Sequence, residues 1–245
     1  KNGSKEMVEL LIDKGANIHV TAKNGKTALM FAAFNGHQEM VKFLINNGAD
    51  INITNNNGAT ALMYAAKNGS KEMVELLIDK GANIHATAKN GQTALMCAAA
   101  NRHQEIVTFL IDQGANIEAT SNSGKTALIF AKEQGHQEIE NLLQQKHDER
   151  KYDERKKSLE DLNKQFIDAI QNKDVNSIQW CLERGADINT RDYSGKTALM
   201  YAVGGSVNVV SFLITKGAKI NAITNETWNS TALTYAVGKK KQKVV

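Results

Sequence analysis

A repeat of 33 residues constrains this chain more than any other feature of its 245-residue sequence. Four threonines that each open a Thr-Ala-Leu run lie 33 residues apart, and four glycines keep the same interval. The threonines are Thr27, Thr60, Thr93 and Thr126, and the glycines are Gly15, Gly48, Gly81 and Gly114. A period of roughly 20 to 50 residues is typical of arrays in which each unit buries its apolar face against the next unit. The sequence therefore predicts a solenoid.

One unit of this repeat predicts two helices followed by a long loop. Thr60 can cap the first helix with its hydroxyl, and the Asn-Gly pair at 68–69 ends that helix. Residues 70–80 carry apolar side chains on one face and acidic side chains on the other, which predicts a second helix packed on one side. Gly81 supplies a left-handed residue after it, and the Asn-Gly pair at 90–91 predicts a hairpin-like turn.

This unit resembles the ankyrin repeat. The resemblance is carried by the Thr-Ala-Leu helix start, the Ala65-Ala66 pair, the Gly36-His37 junction, the Leu-Leu-Ile run of the second helix and the Gly-Ala-(Asn/Asp)-Ile segment. It implies an all-α solenoid of stacked helix-turn-helix units with β-hairpin loops. The chain departs from the family where proline and histidine usually follow the threonine. Those positions hold Ala28, Ala61, Ala94 and Ala127, and Met30, Met63, Met96 and Ile129. We expect slightly looser helix starts, because alanine does not preset φ as proline does.

The spacing predicts two blocks of repeats. Residues 1–147 hold a partial first repeat and four units, and residues 164–245 hold a cap-like unit, one full unit and one truncated unit. Between them, residues 148–163 contain the run DERK twice and opposite charges at helical spacing, which predicts a charged helical linker. The alternative is one unbroken stack with a bulged loop at 147–163. Because both ends interrupt a repeat, we interpret the sequence as a fragment of a longer chain.

Composition is that of an ordinary globular protein, with 42% hydrophobic residues, 23% charged residues and a net charge of +4. The sequence has no run of 18 apolar residues, so we expect no membrane span. Cys97 and Cys181 occupy positions that are apolar in related units, Tyr64 and Leu77, which we assign to the core. They are interpreted as buried thiols of a reducing compartment. The expected location is the cytoplasm, or the host cytosol if the protein is a secreted effector.

Three histidines provide the best candidate for chemistry. His37, His103 and His136 each begin a His-Gln-Glu run, which matches half of a zinc deaminase motif, but the paired-cysteine half is absent. The resemblance instead implies that these histidines tether one helical turn to its neighbour. The sequence also has no phosphate-binding loop and no nucleophile elbow. We therefore expect no catalytic residue, no metal and no cofactor.

The resemblance also implies that partners bind a concave face formed by loop tips and first helices. Aromatic and arginine anchors dominate many interfaces, so Phe34, Arg191, Tyr193 and Trp228 are the best anchor candidates. The alternative for each is an ordinary exposed residue or, for Trp228, a loop plug. The full predicted set is Lys23, Asn24, Lys26, Phe34, Asn56, Asn57, Lys67, Lys89, Asn90, Gln92, Lys125, Glu133, Arg191, Tyr193, Lys196 and Trp228.

Function is therefore predicted to be that of a protein-interaction scaffold without catalysis. The predicted face is basic and rich in amides, so we expect an acidic or polar protein segment as the partner. The alternative is the targeting arm of a larger microbial effector or enzyme whose active domain lies outside this fragment. A charge of +4 is small for a nucleic-acid binder, so no specific nucleic acid is expected. A monomer is expected, although interrupted repeats at the ends could stack end to end.

Overall fold

The computed structural model describes residues 3–225 and 230–240, with side chains described for residues 5–225 and 230–238. Helices are the dominant elements of the described residues, and they alternate between short first helices and longer second helices as the repeat predicts. In chain order they are α1 Gly3–Asp13, α2 Ala28–Phe34, α3 Gln38–Asn46, α4 Ala61–Asn68, α5 Lys71–Asp79, α6 Ala94–Ala100, α7 Gln104–Asp112, α8 Ala127–Glu133, α9 Gln137–Gln171, α10 Val175–Glu183, α11 Ala198–Ala202, α12 Val207–Thr215 and α13 Ala232–Lys240.

The first helices begin at the predicted threonine caps. In each case the threonine hydroxyl accepts a hydrogen bond from the backbone N–H three residues later, at 3.3–3.4 Å. Such a cap contributes about 1 kcal/mol to helix stability. Six of the described helices begin this way, namely those that follow Thr27, Thr60, Thr93, Thr126, Thr197 and Thr231. The predicted capping role of threonine is confirmed.

The second helices end where the repeated glycines predict. Gly81 has a φ of 91°, in the left-handed region, and its N–H donates to the carbonyl of Ile78 at 2.9 Å. The N–H of Ala82 donates to the carbonyl of Leu77, also at 2.9 Å. This pair of bonds is a Schellman motif, which satisfies carbonyls that the helix end leaves without partners. Glycine is required there because a side chain would strain a left-handed residue.

In the described residues, the predicted β-hairpin loops are tight turns without a strand ladder, and one isolated antiparallel bridge pairs Arg191 with Thr197. In the loop before Thr93, the N–H of Ala88 donates to the carbonyl of Gln92 at 2.9 Å, and pairing ends there because the chain turns into the helix cap. Neighbouring loops are joined, since the N–H of Lys89 donates to the carbonyl of Asn57 at 2.8 Å. A Cβ on Gly58 would lie 2.7 Å from the nitrogen of Lys89, so this approach requires glycine.

The chain divides into two compact units, Lys1–Glu149 and Arg150–Val245. The core of unit 1 consists of stacked helix faces, in which alanines such as Ala65 and Ala66 are fully buried and allow close helix packing. Unit 2 has its own core around Phe166 and Leu213. The charged segment 148–163 lies wholly within α9. No helix in the described part of the chain has both the length and the apolar character needed to cross a membrane.

Both cysteines are free thiols, and they differ in exposure. Cys181 is buried in the core of unit 2, as predicted. Cys97 is only half-buried, because it lines a cavity between loops 55–59 and 88–92. Burial raises the pKa of the Cys97 thiol to about 11, against a smaller lowering effect of Lys67, and burial also raises the pKa of Cys181. Both thiols are therefore neutral and poorly nucleophilic near neutral pH.

Candidate functional site

The loops and first helices of unit 1 share one face, which we call the loop face. It comprises loop residues 22–26, 55–59, 88–92 and 121–125 with the accessible side of α2, α4, α6 and α8. Lys26 connects loop and helices, because its Nζ lies 5.5 Å from the ring centroid of Phe31, 5.8 Å from that of Phe34 and 4.5 Å from that of Tyr64. Phe34 and Tyr64 meet edge to face at 5.9 Å. A lysine and three aromatic rings thus form one cluster on this face.

The sequence predicts Tyr64 to be a core residue, and this prediction is wrong. Tyr64 is half-buried, and it belongs to a position four residues after each threonine that is aromatic in most units. The residues at this position are Phe31, Tyr64, Cys97, Phe130, Tyr201 and Tyr235. A lysine one residue before the threonine often lies over such a ring, as Lys125 does over Phe130 at 6.0 Å and Lys196 over Tyr235 at 5.2 Å. The recurrence of aromatic residues four positions after the threonine is the sequence signal that could have indicated a position on the loop face.

Asn55 fixes the hydroxyl group of Tyr64. Asn55 is buried, and its Oδ1 accepts hydrogen bonds from the backbone N–H groups of Asn57 and Ala59, both at 2.9 Å. These two donors orient the amide, so its Nδ2 donates to the Tyr64 oxygen at 2.7 Å. The Tyr64 hydroxyl therefore acts as an acceptor toward Asn55 and keeps its own proton. No residue that the structure describes accepts that proton.

A cavity of about 340 Å³ opens on the loop face beside Tyr64, between loops 55–59 and 88–92, and we call it the Tyr64 slot. It exists because small side chains stand at two repeated positions. Ala59 replaces the lysine found at Lys26 and Lys125, and Cys97 replaces the aromatic ring. Of the predicted binding residues, the slot brings together Asn57, Lys67, Lys89, Asn90 and Gln92.

The other predicted residues of unit 1 lie on the same face but do not line the slot. Lys23, Asn24 and Asn56 are exposed at loop tips, and the Asn56 side chain donates to the Lys23 carbonyl at 2.9 Å. Asn56 therefore also joins two loops. Lys125 donates to the Glu133 carboxylate at 2.7 Å, so these two predicted residues neutralise each other.

In unit 2, three predicted residues lie around the loop 191–196. Tyr193 is fully exposed. The Arg191 guanidinium donates to the carbonyls of Gly195 at 3.2 Å and Ile223 at 2.5 Å, so it is engaged within the fold. The predicted residue Lys196 lies over the Tyr235 ring. Trp228, the remaining predicted anchor, lies outside the described residues.

Tyr201 of unit 2 occupies the position that Tyr64 occupies in unit 1, but its hydroxyl is a donor. Its oxygen lies 2.6 Å from Asp192 Oδ2, and the proton goes to the carboxylate. This hydrogen bond, together with burial, raises the pKa of Tyr201 to about 12. Burial alone would raise the pKa of Asp192, but hydrogen bonds from Tyr201, Ser194 and backbone N–H groups lower it below its ordinary value.

Two of the three junction histidines, His103 and His136, act within the fold as the resemblance implies. A ring nitrogen of His103 lies 3.0 Å from the carbonyl of Lys67, and one of His136 lies 2.8 Å from the carbonyl of Ala99. Each bond reaches a carbonyl near the end of the first helix of the preceding unit, where carbonyls lack helical partners. His37 is exposed. In the part of the chain that the structure describes, no His, Cys, Asp and Glu side chains cluster as metal ligands would.

Comparison with known families agrees with this architecture. A family model described as ankyrin repeats in three copies matches residues 1–88, 82–154 and 166–245. A search of curated proteins gives no match to the chain. Ankyrin repeats generally mediate protein–protein interactions and are typically not catalytic. With a match over most of its length and the repeated helix pairs in its structure, this chain belongs to the ankyrin repeat family.

Proposed function

We propose that the protein is an interaction scaffold whose loop face binds a segment of a partner protein, without catalysis. The aromatic and lysine cluster beside the Tyr64 slot carries this proposal. Phe31 and Phe34 are 46% and 39% exposed, although both are large apolar side chains. Half-exposed aromatic rings next to a cavity are the kind of anchor on which interfaces depend.

The distribution of charge in unit 1 supports the loop face over the opposite face. Lys67 and Lys89 lie on the loop face, and within the described residues neither has a carboxylate within 4 Å. The face formed by the second helices α5 and α7 is rich in acidic side chains, and its Lys71 already contacts Glu75 at 3.9 Å and Glu105 at 3.4 Å. Complementary charge favours encounter between the loop face and an acidic or polar segment.

The first test selects short random peptides displayed on phage against the 245-residue chain. Binding of the selected peptides is then compared between the wild type and two variants with the same charge change. Phe34→Glu places a carboxylate in the cluster, and Thr108→Glu places one on the exposed side of α7. We expect Phe34→Glu to weaken binding at least about tenfold, because it removes an anchor ring, and Thr108→Glu to leave it unchanged.

Circular dichroism of both variants provides the control for folding, and both should retain the helical signal of the wild type. Selection of no peptide, or peptides that lose binding with Thr108→Glu but not with Phe34→Glu, would place recognition away from the loop face and contradict the proposal.

A further inference from the structure

The Tyr64 slot offers a hydroxyl proton that has no acceptor within the described fold. Because the Asn55 amide is oriented by two backbone donors, the Tyr64 oxygen must accept from Asn55 Nδ2, and its O–H is left to donate elsewhere. A ligand atom in the slot that accepts a hydrogen bond would satisfy this donor. A group that only donates would not.

Two ammonium groups border the same slot. Lys67 extends from α4 and Lys89 from the loop 88–92, and both are exposed. Elsewhere on the loop face Lys125 is neutralised by Glu133 at 2.7 Å. No carboxylate of the described residues neutralises Lys67 or Lys89. The slot is therefore positively charged and lacks an internal anion.

The remaining lining does not oppose an anion. Cys97 stands where other units place an aromatic ring, which leaves room for a side chain, and its thiol stays neutral because burial raises its pKa to about 11. The cavity volume of about 340 Å³ is enough for the carboxylate and methylene groups of one acidic side chain. Amide groups of Asn90 and Gln92 at the rim are already hydrogen-bonded to each other at 3.0 Å.

We propose that the Tyr64 slot is a carboxylate-binding subsite that takes one glutamate or aspartate side chain of an extended partner segment. Tyr64 donates its hydroxyl proton to the carboxylate, and Lys67 and Lys89 supply the opposite charge. Such charge-assisted hydrogen bonds are stronger than neutral ones. The inference rests on the proposed function, because it assigns a residue type to one position of the bound segment.

The test is a titration of the full chain followed by amide NMR, with two capped peptides as probes. They are acetyl-Gly-Ser-Glu-Ser-Gly-amide and its counterpart with glutamine in place of glutamate, which has nearly the same shape but no charge. We expect the glutamate peptide to shift the amides of residues 55–59, 64, 67 and 88–92, and to bind about tenfold more tightly than the glutamine peptide.

Asn55→Asp is the decisive variant. Asp192 already fills the same repeat position in unit 2, where it accepts the tyrosine proton and two backbone N–H groups, so the fold accommodates it. In the variant, Tyr64 should donate to the new carboxylate, and the slot should lose both its free proton and part of its positive charge. We expect the preference for the glutamate peptide to disappear.

Asn116→Asp is the matched control for charge. Asn116 caps the N–H of Glu118 at 3.0 Å outside the slot, and Asp50 makes the equivalent bond to Asn52 at 2.9 Å, so aspartate fits there. This control should keep the full preference for glutamate. Cys97→Phe, which introduces the residue found at Phe31 and Phe130, should abolish binding of both peptides by filling the slot.

Equal shifts with the glutamate and glutamine peptides, no shifts at the slot with either, or a preference that survives Asn55→Asp would each overturn the carboxylate subsite. The peptide selection with Phe34→Glu does not depend on any carboxylate in the probe. A loop face that binds selected peptides without regard to glutamate would therefore defeat this inference and leave the proposed function standing.

Discussion

Tyr64 in unit 1 and Tyr201 in unit 2 stand at the same position of the repeat, yet their hydroxyl groups have opposite roles. Tyr64 accepts a hydrogen bond from Asn55, whereas Tyr201 donates one to Asp192. In both units the residue nine positions before the tyrosine also holds two backbone N–H groups of its own loop. The exchange of an amide for a carboxylate at this position therefore decides where the tyrosine proton goes.

The comparison shows how a repeat can vary its surface while its fold stays the same. Asparagine and aspartate have the same shape, and both satisfy the loop with one side-chain oxygen. Only asparagine carries hydrogen atoms on its other arm. In unit 1 the Tyr64 hydroxyl group therefore keeps its proton for donation at the loop face. In unit 2 the equivalent hydroxyl group, that of Tyr201, donates its proton to Asp192 within the fold.

The largest effect in this comparison is expected from removing the loop-fixing side chain. Asn55→Ala leaves two backbone N–H groups and the Tyr64 oxygen without their partner, and should lower the free energy of unfolding by about 2 kcal/mol. Asn55→Asp should cost much less, because aspartate makes the same loop bonds in unit 2. Urea unfolding followed by circular dichroism measures both. Equal losses for the alanine and aspartate variants would show that the loop bonds do not explain the role of Asn55.

A smaller difference should separate the two tyrosines. Tyr201→Phe removes a donor from a carboxylate, and should lower the free energy of unfolding by about 1 kcal/mol. Tyr64→Phe removes only the acceptor of an amide that water can replace, and should cost about 0.5 kcal/mol. Urea unfolding of the two variants, with Tyr193→Phe as the exposed control, measures the difference. A larger loss at Tyr64 than at Tyr201 would reverse the assigned roles.

The third effect concerns pH. The folded pKa of Tyr201 is about 12, raised from an ordinary value of about 10 by the bond to Asp192. Its contribution to stability is therefore full below about pH 10 and is lost as the pH rises through the folded pKa. Ultraviolet titration of tyrosine ionisation should show the late ionisation of Tyr201, and Asp192→Asn should bring the pKa of Tyr201 back toward 10. An unchanged titration in Asp192→Asn would remove Asp192 as the cause.

The sequence predicts the fold well because the signals are local and repeated. Threonine caps, left-handed glycines and junction histidines each act within a unit or on its neighbour, and their spacing alone indicates their roles. The predicted second helix runs from Ser70 to Lys80, and it differs from α5 only because these two residues are the caps of α5. The described loops differ only modestly from the predicted β-hairpins. They form turns and not strands, because only one pair of backbone hydrogen bonds closes each loop before the threonine cap of the next helix.

The surface stripe of the first helices was harder to predict. Leu62, Met63, Ala65 and Ala66 are buried because α4 packs against neighbours on several sides, and only a narrow stripe remains accessible. Tyr64 shares that stripe with Lys67 and Asn68, three and four residues later, as helix geometry requires. The resemblance to ankyrin repeats places Lys67 on the binding face, whereas the apolar residues around Tyr64 favour a core position for that tyrosine.

The direction of the Tyr64 hydroxyl could not be derived from the pattern. It depends on contact with Asn55, which lies in another element of the unit, and on the two backbone groups that orient the Asn55 amide. The binding roles of the individual loop residues remain predictions for the same reason, since they depend on a partner.

Cross-saturation NMR of the chain bound to one selected peptide tests the central claim most directly, because it identifies the amides that the ligand covers. The account predicts that saturation transfers to loops 55–59 and 88–92 and to the first helices α2 and α4. Transfer to the second helices α3, α5 and α7, with the loops unaffected, would contradict it and place recognition on the opposite face of unit 1.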